Sequence, residues 1–63
     1  MEGLSEKVRE LRRRMGWSQE DLARQIDVSL STVQRWELKG GRPSRLARRA
    51  LRRLFREADI DED

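Results

Sequence analysis

Two helix-start signals stand eleven residues apart at Ser18 and Ser29, and few folds accommodate what lies between and after them. Ser18 can cap a helix, with Asp21 three residues on as in a capping box, and Leu22, Ala23 and Ile26 then fall on one helical face. Asp27 and Val28 interrupt that pattern. Ser29 offers a second cap, after which Val33 and Trp36 stand three apart on the next inward face. The stretch from Ser18 to Glu37 therefore predicts two short helices joined by a tight turn. Ala23 is small at the point where crossing helices need close approach, which favours a steep crossing.

With Gln19 as the first of twenty motif positions, this stretch resembles the helix-turn-helix of the Cro/C1-type (XRE) bacterial and phage repressors. The small residue expected fifth is Ala23, and the apolar residues expected fifteenth and eighteenth are Val33 and Trp36. Asp27 stands ninth, where that family usually has Gly because the turn residue takes a positive φ. The resemblance extends from Leu4 to Leu54, since a basic helix ending in Gly16 precedes the motif and Arg42-Pro43-Ser44 follows it. It implies an all-α, compact four-helix domain with a central helix-turn-helix and a long C-terminal helix, lambda-repressor-like in arrangement.

The chain of 63 residues permits one domain with one small core, of ~3–5 kcal/mol net stability. It contains neither Cys nor His, which argues against disulfides, a metal site and nucleophilic catalysis; no cofactor and no enzyme activity is expected. No apolar run could span a bilayer, so a cytoplasmic protein is the working expectation. The net charge of +3 conceals an asymmetry. Fifteen basic residues face only seven acidic ones before Glu57, a net +8, while five acids crowd into Glu57 to Asp63. A basic body suits a polyanion partner.

Along the rest of the chain, Ser5 is expected to cap a first helix with Val8, Leu11 and Met15 as its apolar line and Arg9, Arg12, Arg13 and Arg14 solvated. Gly16 should end it, with Trp17 folding back as a packing residue. After the second motif helix, Leu38-Lys39-Gly40-Gly41 reads as loop. Pro43 and Ser44 should open a last helix running to about Glu57. Its apolar positions, Leu46, Ala50, Leu54 and Ala58 beside Ala47, Leu51 and Phe55, exceed what one small core requires. A homodimer seam through Leu51, Leu54 and Phe55 is expected, in preference to a membrane-surface helix. The domain should thus span residues 1–58, with 59–63 an acidic, solvated tail.

The resemblance also implies a partner and a set of contacts. Double-stranded DNA would be read in the major groove by the helix from Ser29 to Glu37, which leaves Leu30, Ser31, Gln34 and Arg35 outward for base edges. Gln19, Ser29, Thr32, Lys39 and Arg42 would serve phosphates. Glu37 is expected to pair with an arginine. Alternative readings are the antitoxin of a toxin–antitoxin pair, with a toxin partner, and a protein-interaction module on the same fold without base readout.

Overall fold

The computed structural model describes residues 3–60. Four helices follow one another: α1 (Leu4–Met15), α2 (Gln19–Ile26), α3 (Leu30–Lys39) and α4 (Arg45–Glu57). Both α1 and α2 pack on α3, and α4 lies against α1 and α2. The Cα radius of gyration is 10.1 Å, close to the ~10.6 Å of a compact chain of this length.

Helix α1 starts two residues earlier than Ser5 capping would place it. Gly3, in left-handed conformation, precedes the helix without a side-chain cap, and its carbonyl accepts from Lys7 N at 2.9 Å. Burial of Leu4, only 1% exposed, accounts for the shift, because the helical conformation at Leu4 carries that side chain into the core beside Val8 and Leu11. At the other end Gly16 takes φ 71°, and Trp17 N donates back to Arg12 O at 2.9 Å, so the half-buried indole returns to the last turn as expected.

Helix α2 opens with a complete capping box: Asp21 N donates to Ser18 Oγ at 3.0 Å and Ser18 N to Asp21 Oδ2 at 2.9 Å. Those bonds from Ser18, backbone first, hold the Asp21 carboxyl below its ordinary pKa. The helix ends at Asp27 with φ 58° and ψ 50°, the left-handed turn that its position required. Val28 N then donates to Ala23 O at 3.0 Å, and Ser29 caps α3 through Thr32 N at 3.2 Å.

Leu38 and Lys39 are the last turn of α3, not loop, since nothing before Gly40 breaks the helix. Gly40 and Gly41, at φ 78° and 79°, make the reversal, and the buried Pro43 leads to Ser44, whose hydroxyl accepts from Ala47 N. Helix α4 buries Ala47, Leu51, Leu54 and Phe55. The dimer seam expected through Leu51, Leu54 and Phe55 is therefore corrected: at 0, 4 and 0% exposure these three side chains complete the monomer's own core. Leu46, expected on the same apolar side, is instead 77% exposed, and no helix among the described residues is long and apolar enough to cross a membrane.

The chain past α4 folds back. Ile60 N donates to Phe55 O at 2.8 Å and the half-buried Ile60 side chain packs on the core, so the packed region reaches two residues into the stretch expected as tail. Arg14 Nη1 holds this end, donating to the carbonyls of Ala58 at 2.8 Å and Asp59 at 2.9 Å. The remainder of the expected tail, 61–63, lies outside the described residues.

Candidate nucleic-acid interface

Because Val33, Trp36 and Glu37 take the inward side of α3, its outward side presents Leu30, Ser31, Gln34 and Arg35, all exposed, with Leu38 and Lys39 in the last turn. Gln34, Arg35 and Lys39 have no intramolecular side-chain partner among the described residues. At the N-terminus of α3 three hydroxyls meet: Ser29 Oγ lies 3.1 Å from Ser31 Oγ and 2.8 Å from Thr32 Oγ1. Ser29 is thereby committed to capping, and Thr32 is half-buried beside it.

Glu37 fixes how this helix is held. Its side chain, on a residue only 5% exposed, accepts from Arg12 Nε at 2.6 Å and Nη2 at 2.9 Å, a two-pronged pairing, and from Gln19 Nε2 at 3.2 Å. Arg9 Nη2 donates to the Glu37 carbonyl at 2.6 Å. Burial alone would raise the Glu37 carboxyl. The Arg12 and Gln19 hydrogen bonds and the charges of Arg12 and Arg9 outweigh it and hold the pKa below its ordinary value. Arg9 and Arg12, expected to be solvated, thus tie α1 to α3. The other two first-helix arginines, Arg13 and Arg14, pair with Glu10.

Gln19 stands at the first turn of α2, yet its side-chain amide is turned to Glu37 and half-buried. On the opposite side of Glu37's pairing, Thr32, Arg35 and Trp36 of α3 line a cleft of about 380 Å³ together with Arg42, Ser44 and Ala47. The fold thus brings Arg35 and Arg42 to one opening, although they are seven residues apart across the glycine turn. Lys39 is exposed on the last turn of α3 but does not line that opening.

The arrangement of a capped helix, a left-handed turn and a second capped helix with polar side chains outward is matched by a model of the helix-turn-helix family over residues 8–55. The chain belongs to the Cro/C1-type helix-turn-helix family. No curated protein and no solved structure matches it. The match takes in α1 from Val8 and α4 to Phe55, so the flanking helices belong to the family unit as much as α2 and α3 do. Membership supports DNA binding of the transcription-regulator type for this helix-turn-helix domain.

Two contributors to the site were not legible beforehand. Arg9 and Arg12 sit in a run of similar arginines, and only the fold distinguishes the pair that reaches Glu37 from the pair that reaches Glu10. The available signal was Glu37 itself, an acid on the inward side of α3 that requires a cation once buried.

Proposed function

We propose that this domain binds double-stranded DNA with sequence preference, as a small cytoplasmic transcriptional regulator that inserts α3 into the major groove. The observation that supports this reading is the pairing of free, exposed Gln34 and Arg35 on the outward side of a helix whose inward side is locked to α1 and α2 through Glu37. A helix held that rigidly can present side chains to base edges in one register. Gln34 suits adenine, Arg35 guanine, Ser31 either, and Leu30 a thymine methyl. Arg42 and Lys39 would take phosphates on either side of the turn, while Ser29 and Thr32 would act through the amides at the start of α3. Gln19 would contribute through its backbone amide and through holding Glu37.

Enrichment of a random duplex library with the protein, followed by fluorescence anisotropy on the selected and a scrambled duplex at several salt concentrations, tests the reading. A preferred sequence bound on the order of 10³-fold or more tighter than the scrambled duplex is expected. Equal affinity for both, at every salt concentration, would leave α3 without a reading role. The exposed Leu30 would then favour a protein-interaction module on this fold.

A further inference from the structure

Helix α4 has a second face that the proposed reading does not use. Arg45, Arg48, Arg49, Arg52, Arg53 and Arg56 recur at three- and four-residue steps along its exposed side, with no acidic residue between Arg42 and Arg56. At 3.6 residues per turn they share an arc of about 140° and a length of about 16 Å. Arg52 has an interaction of its own. The other five have no carboxylate partner among the described residues, in contrast to the first-helix arginines, each of which is bonded to Glu37, Glu10 or a backbone carbonyl. Like charges at these spacings repel one another along a helix, and that repulsion is relieved when an anion spans them.

The ridge is not an extension of the α3 surface. Ala47, which lines the cleft shared with Thr32, Arg35 and Trp36, marks the side of α4 turned toward α3. The middle of the arginine arc lies about 170° round the helix from Ala47. Two shallow depressions between the arginines, of about 530 and 550 Å³, are lined by guanidinium-bearing residues with only Leu46 and Ala50 besides. Guanidinium groups pair with phosphate oxygens in a planar fork, so a ridge that carries several of them suits a phosphate backbone.

We propose that the outward face of α4 is a second binding surface for the phosphate backbone of double-stranded DNA, indifferent to sequence, so that one domain holds two duplex segments on opposite sides. Bridging rests on the proposed engagement of a first duplex by α3, whereas the ridge itself uses none of the residues assigned to base edges.

Two 20-bp duplexes, one carrying a donor and one an acceptor fluorophore, test it by energy transfer, since a body of 25 × 23 × 20 Å holds both within range. Protein-dependent transfer is expected with the parent. The variant Arg48→Gln, Arg49→Gln, Arg53→Gln should lose transfer on the order of 10-fold, yet bind a single selected duplex within about twofold of the parent. The single change Arg53→Gln should flatten the log–log salt slope of the second binding event by about 0.9, which gives a reading if the triple variant fails to fold. A Gln34→Ala, Arg35→Ala variant should lose any sequence preference and keep salt-steep duplex binding through the ridge. Transfer that survives in the folded triple variant would assign bridging to protein–protein association and overturn the proposal. So would absence of transfer with a parent that prefers the selected duplex to the scrambled one, equal loss of single-duplex binding in the triple variant, or tighter binding of a poly-glutamate peptide than of duplex.

Discussion

The Arg12 guanidinium meets the Glu37 carboxylate through two hydrogen bonds, Nε to Oε2 and Nη2 to Oε1, across 25 positions of sequence. One end belongs to α1 and the other to α3, and Gln19 of α2 joins at the same carboxylate. Three helices are thus registered by one acidic group. Glu37→Gln keeps the shape and removes the charge, and should cost about 1.5–3 kcal/mol. A double-mutant cycle with Arg12→Ala, read by chemical denaturation, should return most of that as coupling energy. Additive losses would mean that the two side chains act separately.

Acid should weaken the fold through the same group. The folded-state pKa of Glu37 is depressed, so its contribution is complete above the unfolded value of about 4.3 and is lost as pH falls through the lower folded value. Melting temperature should therefore drop on acidification below that point. Asp21 and Glu10 are shifted in the same direction and steepen the fall. The parent minus Glu37→Gln difference isolates Glu37, and it should shrink as pH decreases. A difference constant from neutral pH down to pH 2 would contradict the assignment.

Asp27→Gly should stabilise the protein by about 0.5–1 kcal/mol. Asp27 holds φ 58° with no side-chain bond among the described residues, so relief of backbone strain outweighs the larger unfolded-state entropy of Gly. Thermal melts of the two proteins decide the sign.

Phe55→Ala should remove about 3–5 kcal/mol, because a fully buried ring is replaced by a void. That loss is comparable to the whole stability of a domain this size. Circular dichroism at 25 °C should show a largely unfolded chain. A folded variant that merely changes its sedimentation would restore the dimer seam that burial argues against.

Arg35→Ala and Arg42→Ala should fail differently on DNA. Loss of a base contact costs about 1–3 kcal/mol on the selected duplex and relaxes preference at one position. Arg42→Ala should weaken every duplex alike and flatten the log–log salt slope by about 0.9. Titrations of both variants on selected and scrambled duplexes separate the two behaviours.

The central motif was legible because its determinants are local. Caps at Ser18, Ser29 and Ser44 and the turn at Asp27 depend on residues within four positions of one another. Boundaries failed where tertiary packing decided them, as at Leu4, drawn into the helix by its burial, and at Leu38 and Lys39, where helix continued to the first glycine. The apolar side of α4 was given the wrong cover, and Leu46, counted with it, stands 77% exposed beside the arginines. Periodicity reports how wide an apolar face is, whereas the area that three other helices can lay over it depends on how they cross. The ties from Arg9, Arg12 and Gln19 to Glu37 span 18 to 28 positions, and no spacing rule reaches that far.

The buried indole of Trp36 lies on the inner side of α3, next in sequence to Arg35, and its edge reaches the cleft that Arg42 also lines. The chain's other tryptophan, Trp17, is half-buried after α1. Replacing Trp17 by Phe leaves a single emitter built into the helix proposed to read DNA, shielded from direct contact with bases yet one residue from the side chain assigned to them. The domain thus carries its own optical reporter, whose emission can follow engagement of that helix without an attached dye.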